Sequence, residues 1–385
     1  MKIVVLMGSL TMGGAERVAT TLSSYLSENG IETYLISFDE RESSYTLNPK
    51  VKFINNKVKK KCGKIAGIKQ RVSFMFNTLY SIKPDLVFTM FWDINIYALM
   101  YKWFGKSKIK LVSSERCNPN KVKGIKKILS KISSRNCDGF IFQTERAKEC
   151  YSKKVQAKSI VIHNAIGNPI LDKVDPKSIM SENLITTMGR LEYQKAHDVM
   201  IKACAPILRE HPEYKLIIYG EGTLRNDLEN LIDTLKMKNQ IFLPGNTQYA
   251  IFEVAKSQLF LLTSRFEGMP NALMEAMALG IPCISTNCDM GPAELIEDGI
   301  NGYLVPVDDV ESITQKIRNL ISNAELRKQI SKNSKKINTT HSTEKIYNQY
   351  IEYFKKIIGG KNWKIKFGVQ CLGDIYLIGY QIKYI

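Results

Sequence analysis

Two glutamates eight residues apart, Glu267 and Glu275, lie in a stretch (264–295) that reads SRFEGMPNALMEAMALGIPCISTNCDMGPAEL. Glu267 opens a short turn that holds Gly268 and Pro270. A helix is expected to begin near Asn271, with Asn as its cap and Pro270 tolerated at the first turn. Glu275 then falls one turn inside that helix. A glycine loop, a helix N-terminus and two carboxylates converge on one region. Backbone N–H groups at the helix end suit an anion, and carboxylates suit hydroxyls, so the fitting ligand carries both.

A second constellation follows at 189–195, GRLEYQK. Arg190 would supply a planar fork and Lys195 a point charge, a combination that suits a diphosphate. A surface charge pair would explain the same two residues. Turns at Gly220-Glu221-Gly222 and Pro244-Gly245 would let backbone approach a nucleoside, or be plain loops. Near the start, Gly13 and Gly14 close GSLTMGG, which has neither GxGxxG nor the Gly-Lys-Ser/Thr ending of a phosphate-binding loop. The histidines His163, His197, His211 and His341 stand in ordinary linker, helix or loop contexts and are expected to be structural.

These residues need strands and helices to present them. Residues 2–7, KIVVLM, read as a buried strand, and 15–28 carry helical spacing through Val18, Leu22, Tyr25 and Leu26. Further strands are expected at 31–38, 86–90, 109–113 and 139–143, with helical spacing between them. Residues 160–182 have linker composition. A second alternation offers strands at 184–188, 215–219, 241–243, 259–263, 283–285 and 303–305, and Asp308-Asp309 should begin a helix. The fold class is therefore α/β, with two Rossmann-like, doubly wound domains. The domains span 1–165 and 183–343, joined by a linker at 166–182. Residues 344–358 form a strong helix, expected to cross back to the first domain, and the aromatic tail 359–385 has no evident place in the alternation.

The chain has 385 residues and a net charge of +18. That charge is divided unevenly: residues 1–165 hold 29 Lys+Arg against 12 Asp+Glu, and 166–385 hold 26 against 25. One basic half implies an anionic partner on that half. Residues 57–71 carry seven basic residues and no acid, Lys57, Lys59, Lys60 and Lys61 among them. Residues 121–135 carry six, including Lys123, Lys126, Lys127 and Lys131, with Val122, Ile125, Ile128, Leu129 and Ile132 at helical spacing. That is a basic amphipathic helix, for a membrane surface or for packing on its own domain with a solvated lysine face. No recognised nucleic-acid motif or aromatic ladder accompanies the lysines, so nucleic acid is not expected as a partner. No run reaches the length of a membrane span and no signal peptide opens the chain, and eight cysteines without CxxC point to reduced, cytosolic thiols.

Together the motifs resemble the retaining glycosyltransferases of family 4, which have the GT-B fold; the resemblance implies that the two Rossmann-like domains face each other across a cleft. The resemblance covers roughly 1–358 and rests on GGAERVA (13–19), GRLEYQKAHD (189–198), YGEGTLRNDLENL (219–231), FLPG (242–245) and EGMPNALMEAMALGIPCIST (267–286). It implies Arg190 and Lys195 on the diphosphate of a nucleotide-sugar donor, and Glu267 on the donor sugar's hydroxyls. It implies Glu275 on the ribose, and backbone at Gly268, Met269, Pro270, Asn271, Ala272 and Leu273 around sugar and phosphate. Gly13 and Gly14 would lie beside the diphosphate, with Gly189, Gly220, Pro244 and Gly245 also on the donor side; the resemblance implies that the first domain, 1–165, binds the acceptor and the second, 183–343, the nucleotide sugar. No metal and no cofactor are implied beyond the nucleotide sugar, expected to be UDP-linked (UDP-GalNAc, UDP-GlcNAc or UDP-Gal).

Many members place a histidine at the end of a strand of the first domain. Here that place reads Ser113-Ser114-Glu115-Arg116, and SERCNP (114–119) looks like the subset that builds bacterial surface glycans. Glu115 and Arg116 are accordingly candidates for the acceptor, a lipid-linked saccharide at the inner, anionic membrane surface where the protein would associate peripherally. A soluble acceptor and a sugar-nucleotide epimerase of related fold are the alternatives within the same architecture.

Overall fold

The computed structural model describes residues 1–359 apart from 12, 44, 57–63, 117–118, 168–170 and 248. Lys57, Lys59, Lys60 and Lys61, Cys117 and Asn118 of the SERCNP motif, and the tail from 360 onward lie outside the described residues.

Seven parallel strands form the first sheet: β1 (Lys2–Met7), β2 (Glu32–Ser37), β3 (Lys52–Asn55), β4 (Leu86–Thr89), β5 (Lys110–Glu115), β6 (Gly139–Phe142) and β7 (Ser159–Val161). Their spatial order is β3-β2-β1-β4-β5-β6-β7. β1 is central, with Val5 opposite Leu35 of β2 and Phe88 of β4. It is apolar throughout because both faces are covered. Ile3, Val5 and Met7 pack toward helix α1 (Gly14–Glu28). Val4 and Leu6 pack on the other face, toward helices α2 (Lys64–Ile82) and α3 (Trp92–Phe104).

Six parallel strands form the second sheet: β8 (Leu184–Met188), β9 (Lys215–Tyr219), β10 (Ile241–Gly245), β11 (Leu259–Leu262), β12 (Cys283–Thr286) and β13 (Tyr303–Val305), in the order β10-β9-β8-β11-β12-β13. A final helix, Thr343–Gly359, returns to the first sheet. Tyr347, Tyr350 and Phe354 of that helix are buried in the same cluster as Ile3, Val5 and Phe88. Large apolar side chains buried in this way each contribute about 1.5–3 kcal/mol.

Several sequence expectations need correction. β3 and β7 are strands that hydrophobic runs did not reveal, being short and only half-buried. β7 lies at the start of the stretch with linker composition, so the first sheet extends into it. Asn271 does not cap its helix. Pro270 holds the cap position with an extended backbone and no side-chain cap bond. Asp308 and Asp309 serve the fold: Asp309 accepts from Ser312 N at 2.9 Å as a helix cap, and Asp308 pairs with Arg265 at 2.8 Å.

The basic helix exists as α4 (Gly124–Asn136), but it packs on its domain with an unexpected face. Ser130, Ser133 and Ser134 are its buried residues. Ser133 Oγ donates to Trp92 O at 3.0 Å and accepts from Asn95 Nδ2 at 2.9 Å, tying α4 to α3. Ile125 and Ile128, which should have been the packing stripe, are 73% and 60% exposed. Lys123, Lys126, Lys127 and Lys131 are exposed as well. Among the described residues, no helix is long and apolar enough to cross a membrane.

Candidate active site

The carboxyl ends of both sheets face a common cleft of about 710 Å3. Arg190, two residues beyond β8, lines it, and its guanidinium donates to Gln194 Oε1 at 3.2 Å. Lys195 closes a one-turn helix, Tyr193–Lys195. Its Nζ lies 2.6 Å from Glu267 Oε1, and Ser264 Oγ donates to the same oxygen at 2.6 Å. Glu267 is therefore buried but paired, with a cation and a hydroxyl on one oxygen. His197, two residues beyond Lys195, is pushed down to about 4 by burial and then by the Lys195 charge, so it is a neutral core residue.

Two glycines are demanded by close approach. A Cβ on Gly220, whose φ is +153°, would stand 1.9 Å from Gly189 O, so the loops after β8 and β9 touch backbone to backbone. A Cβ on Gly268 would stand 2.9 Å from Arg116 O and 3.2 Å from Gln143 Oε1. The glutamate loop of the second domain thus meets the first domain at Gly268.

Asn164 is the side chain that spans this meeting. Its Oδ1 accepts from Arg116 at 2.9 Å and Gln143 at 2.5 Å. Its Nδ2 donates to Asn271 Oδ1 at 2.6 Å and Met269 O at 3.3 Å. Arg116 also donates to Tyr350 OH at 2.6 Å, which fixes it to the returning helix. Arg17 of α1 reaches across and forms an ion pair with Glu275, itself buried in the Asn271–Leu279 helix.

The cleft thus gathers most of the residues predicted for the donor: Gly13, Gly14, Gly189, Arg190, Lys195, Gly220, Glu267, Gly268, Met269, Pro270, Asn271, Ala272 and Glu275, with Arg116 from the acceptor group. It leaves out four. Leu273 is fully buried in the core beneath its helix. Pro244 and Gly245 end β10, and their successors Asn246 and Thr247 line the cleft instead. Glu115 is buried to one side, where Tyr151 OH donates to it at 2.6 Å. The α4 lysines are on the outer surface, not in the cleft. Sequence reasoning missed Arg17, Gln143, Asn164 and Gln194. Arg17 stood in plain view inside GGAERVA, and Asn164 ended the VIHN segment read as linker.

Residues 12–167 match the model described as Glycosyltransferase Family 4, and residues 172–337 match Glycosyl transferases group 1. The chain belongs to glycosyltransferase family 4. Its architecture is GT-B: Anabaena HepE in complex with UDP and glucose superposes with a TM-score of 0.77 at 17% identity, covering 92% of this chain and 100% of that one. Among relatives of this family 4 chain is a Campylobacter jejuni alpha-1,4-N-acetyl-D-galactosaminyltransferase, 29% identical over 87% of this chain and 93% of that protein. Its name gives GalNAc-alpha-(1->4)-GalNAc-alpha-(1->3)-diNAcBac-PP-undecaprenol as the molecule it acts on. A Streptomyces coelicolor exopolysaccharide phosphotransferase is 31% identical over 58% of this chain, but the match spans only 24% of that protein's length.

Proposed function

We propose that the protein is a retaining glycosyltransferase that moves a sugar from a UDP-linked donor (UDP-GalNAc, UDP-GlcNAc or UDP-Gal) to a lipid-linked saccharide in bacterial surface-glycan synthesis. The observation that carries this reading is the convergence of Arg190, Lys195, Glu267 and Glu275 on one cleft, beside the N-terminus of the Asn271–Leu279 helix. The bond that breaks joins the anomeric carbon to a diphosphate oxygen. Arg190 and Lys195 stand where the departing diphosphate gains charge, and the helix N-terminus adds N–H donors. Glu267 faces the sugar side, where carboxylate oxygens stabilise an oxocarbenium-like centre and hold hydroxyls. Glu275 would hold the ribose. The acceptor oxygen forms the new bond and loses its proton to the departing phosphate or to water. Metal independence belongs to this proposal, since two side-chain cations supply the charge that a metal would otherwise bring.

The acceptor's lipid would hold the protein at the inner membrane face through α4. Its exposed isoleucines and lysines suit an anionic bilayer surface, the isoleucines entering the interface and the lysines meeting headgroups. The undecaprenol in the relative's name supports this choice of acceptor.

A donor screen for UDP release, with and without bacterial lipid extract, tests the function. One UDP-sugar should give release that depends on lipid, with an alpha linkage in the product by NMR. Conversion of the donor to an isomer without UDP release, or transfer that survives Arg190→Ala and Lys195→Ala, sinks it.

A further inference from the structure

Lys195 comes from the loop after β8 and Glu267 from the loop after β11, so the site needs two separate loops held in one register. The first loop does not hold itself. Lys195 ends a turn of three residues, Tyr193–Lys195, which is far too short to be stable alone. Ala196, the next residue, is fully buried at φ +49°, in the left-handed region that a residue with a Cβ seldom takes. Such a conformation persists only where its surroundings over-determine it.

Those surroundings centre on Arg265. All three carbonyls of the turn accept from the loop after β11. The Arg265 guanidinium donates to Tyr193 O at 2.9 Å, and the Arg265 backbone N–H donates to Gln194 O at 2.8 Å. Thr263 Oγ1 lies 3.1 Å from Lys195 O. The guanidinium also stacks on the Tyr193 ring, 4.3 Å from its centroid. Two carboxylates fix its other edges: Asp198, in the first turn of the helix His197–Glu210, at 3.1 Å, and Asp308, beyond β13, at 2.8 Å. Gln194 returns the tie, its Nε2 donating to Phe266 O at 2.9 Å. The Arg265 side chain is only 14% exposed and stands outside the cleft, so its charge is spent within the protein.

We propose that Arg265 is a positioning residue, which locks the Tyr193–Lys195 turn onto the glutamate loop so that Lys195 meets the diphosphate while Glu267 meets the sugar; the proposal rests on the glycosyltransferase reading. The planar fork is what the place demands. One group must serve a carbonyl and two carboxylates from different directions. A lysine ammonium keeps the charge but is a point, not a fork of five fixed donors.

UDP binding to the full chain, measured by calorimetry and by phosphorus NMR of the bound nucleotide, tests this. Arg265→Lys should weaken UDP by roughly fivefold or more, the scale of one lost contact to a charged group. It should also move the β-phosphorus resonance of bound UDP toward its position in Lys195→Met. Adding Arg265→Lys to Lys195→Met should cost less than about twofold more, because Arg265 acts through that cation. Asp308→Asn loosens the same guanidinium from the solvent side, and should move the resonance in the same direction even if Arg265→Lys fails to fold. A residue that merely stabilised the fold would lower Tm and leave the resonance where it was. An unmoved resonance in both variants, or losses that multiply in full in the double variant, overturns the assignment. A wild-type chain that binds no UDP defeats the glycosyltransferase proposal, whereas one that binds UDP and shows multiplied losses defeats only the role of Arg265.

Discussion

Lys195 Nζ lies 2.6 Å from Glu267 Oε1, so the cation assigned to the donor's diphosphate and the carboxylate assigned to its sugar neutralise each other before substrate arrives. On the proposed function, donor phosphate would compete for Lys195, and that competition would release Glu267 for the sugar hydroxyls. Lys195→Met should lower kcat/KM on the order of a hundred- to a thousandfold, the scale on which lost transition-state charge stabilisation is felt. It should also lower Tm, because it strands a buried carboxylate. Adding Glu267→Gln should restore Tm and leave transfer absent. Recovery of transfer in the double variant would show that the pair is structural.

Arg17 and Glu275 form the other ion pair of the cleft, and this one joins the two domains. Arg17→Ala and Glu275→Gln should each lower Tm, and a double-mutant cycle should return a coupling of about 0.5–3 kcal/mol. Small-angle scattering on Arg17→Ala without ligand should show a larger radius of gyration. Purely additive effects together with unchanged scattering would mean that the contact does not hold the domains together.

On the proposed function, membrane attachment through α4 should be separable from catalysis. Ile125→Ser with Ile128→Ser should leave Tm within about 0.5 kcal/mol equivalents of the wild type, because exposed side chains away from special features have small effects. The same double variant should lose most binding to vesicles containing anionic lipid, and Lys126→Glu with Lys127→Glu should lose it most steeply at low salt. Sedimentation with vesicles checks both. Wild-type-like sedimentation of the two variants removes α4 from the account.

Stability should fall between neutral pH and mild acid. His341 is pushed down to about 4 by burial, then by His163 and Lys345. His163 Nδ1 lies 3.0 Å from its Nε2, Thr340 Oγ1 lies 2.8 Å from its Nδ1, and Glu294 Oε2 lies 3.2 Å from His163 Nε2. His197 is pushed down to about 4 as well. Below their ordinary value of 6.5 both histidines take up protons in the unfolded chain, while the folded chain resists until about 4. The unfolded state then binds more protons, so stability is lost as pH falls through that window and is level above it. Tm measured from neutral pH to about pH 5 should decline, and His341→Gln should flatten the decline. An equal decline in that variant would assign the effect to His197 or to carboxylates.

Much of this was legible in the residues. Runs such as Ile3–Met7 and the glutamate spacing announced a buried parallel sheet and a site at a helix start. What stayed hidden depends on direction in space. Leu273 follows Asn271 by two positions, yet helical rotation turns it into the core while the backbone ahead of it faces the cleft. α4 has the spacing of an inward apolar stripe, but close packing on α3 at Ser133 selects the narrow serine face. Asn164 has no sequence neighbour that marks it, because its four partners come from three different segments of the chain.

The returning helix has a consequence for synthesis. Tyr347, Tyr350 and Phe354 complete the core around β1, so the first domain lacks part of its interior until the ribosome has made the whole of the second. At about 5–20 residues per second, the leading half waits tens of seconds with an apolar seam uncovered. The domain made first is the one finished last.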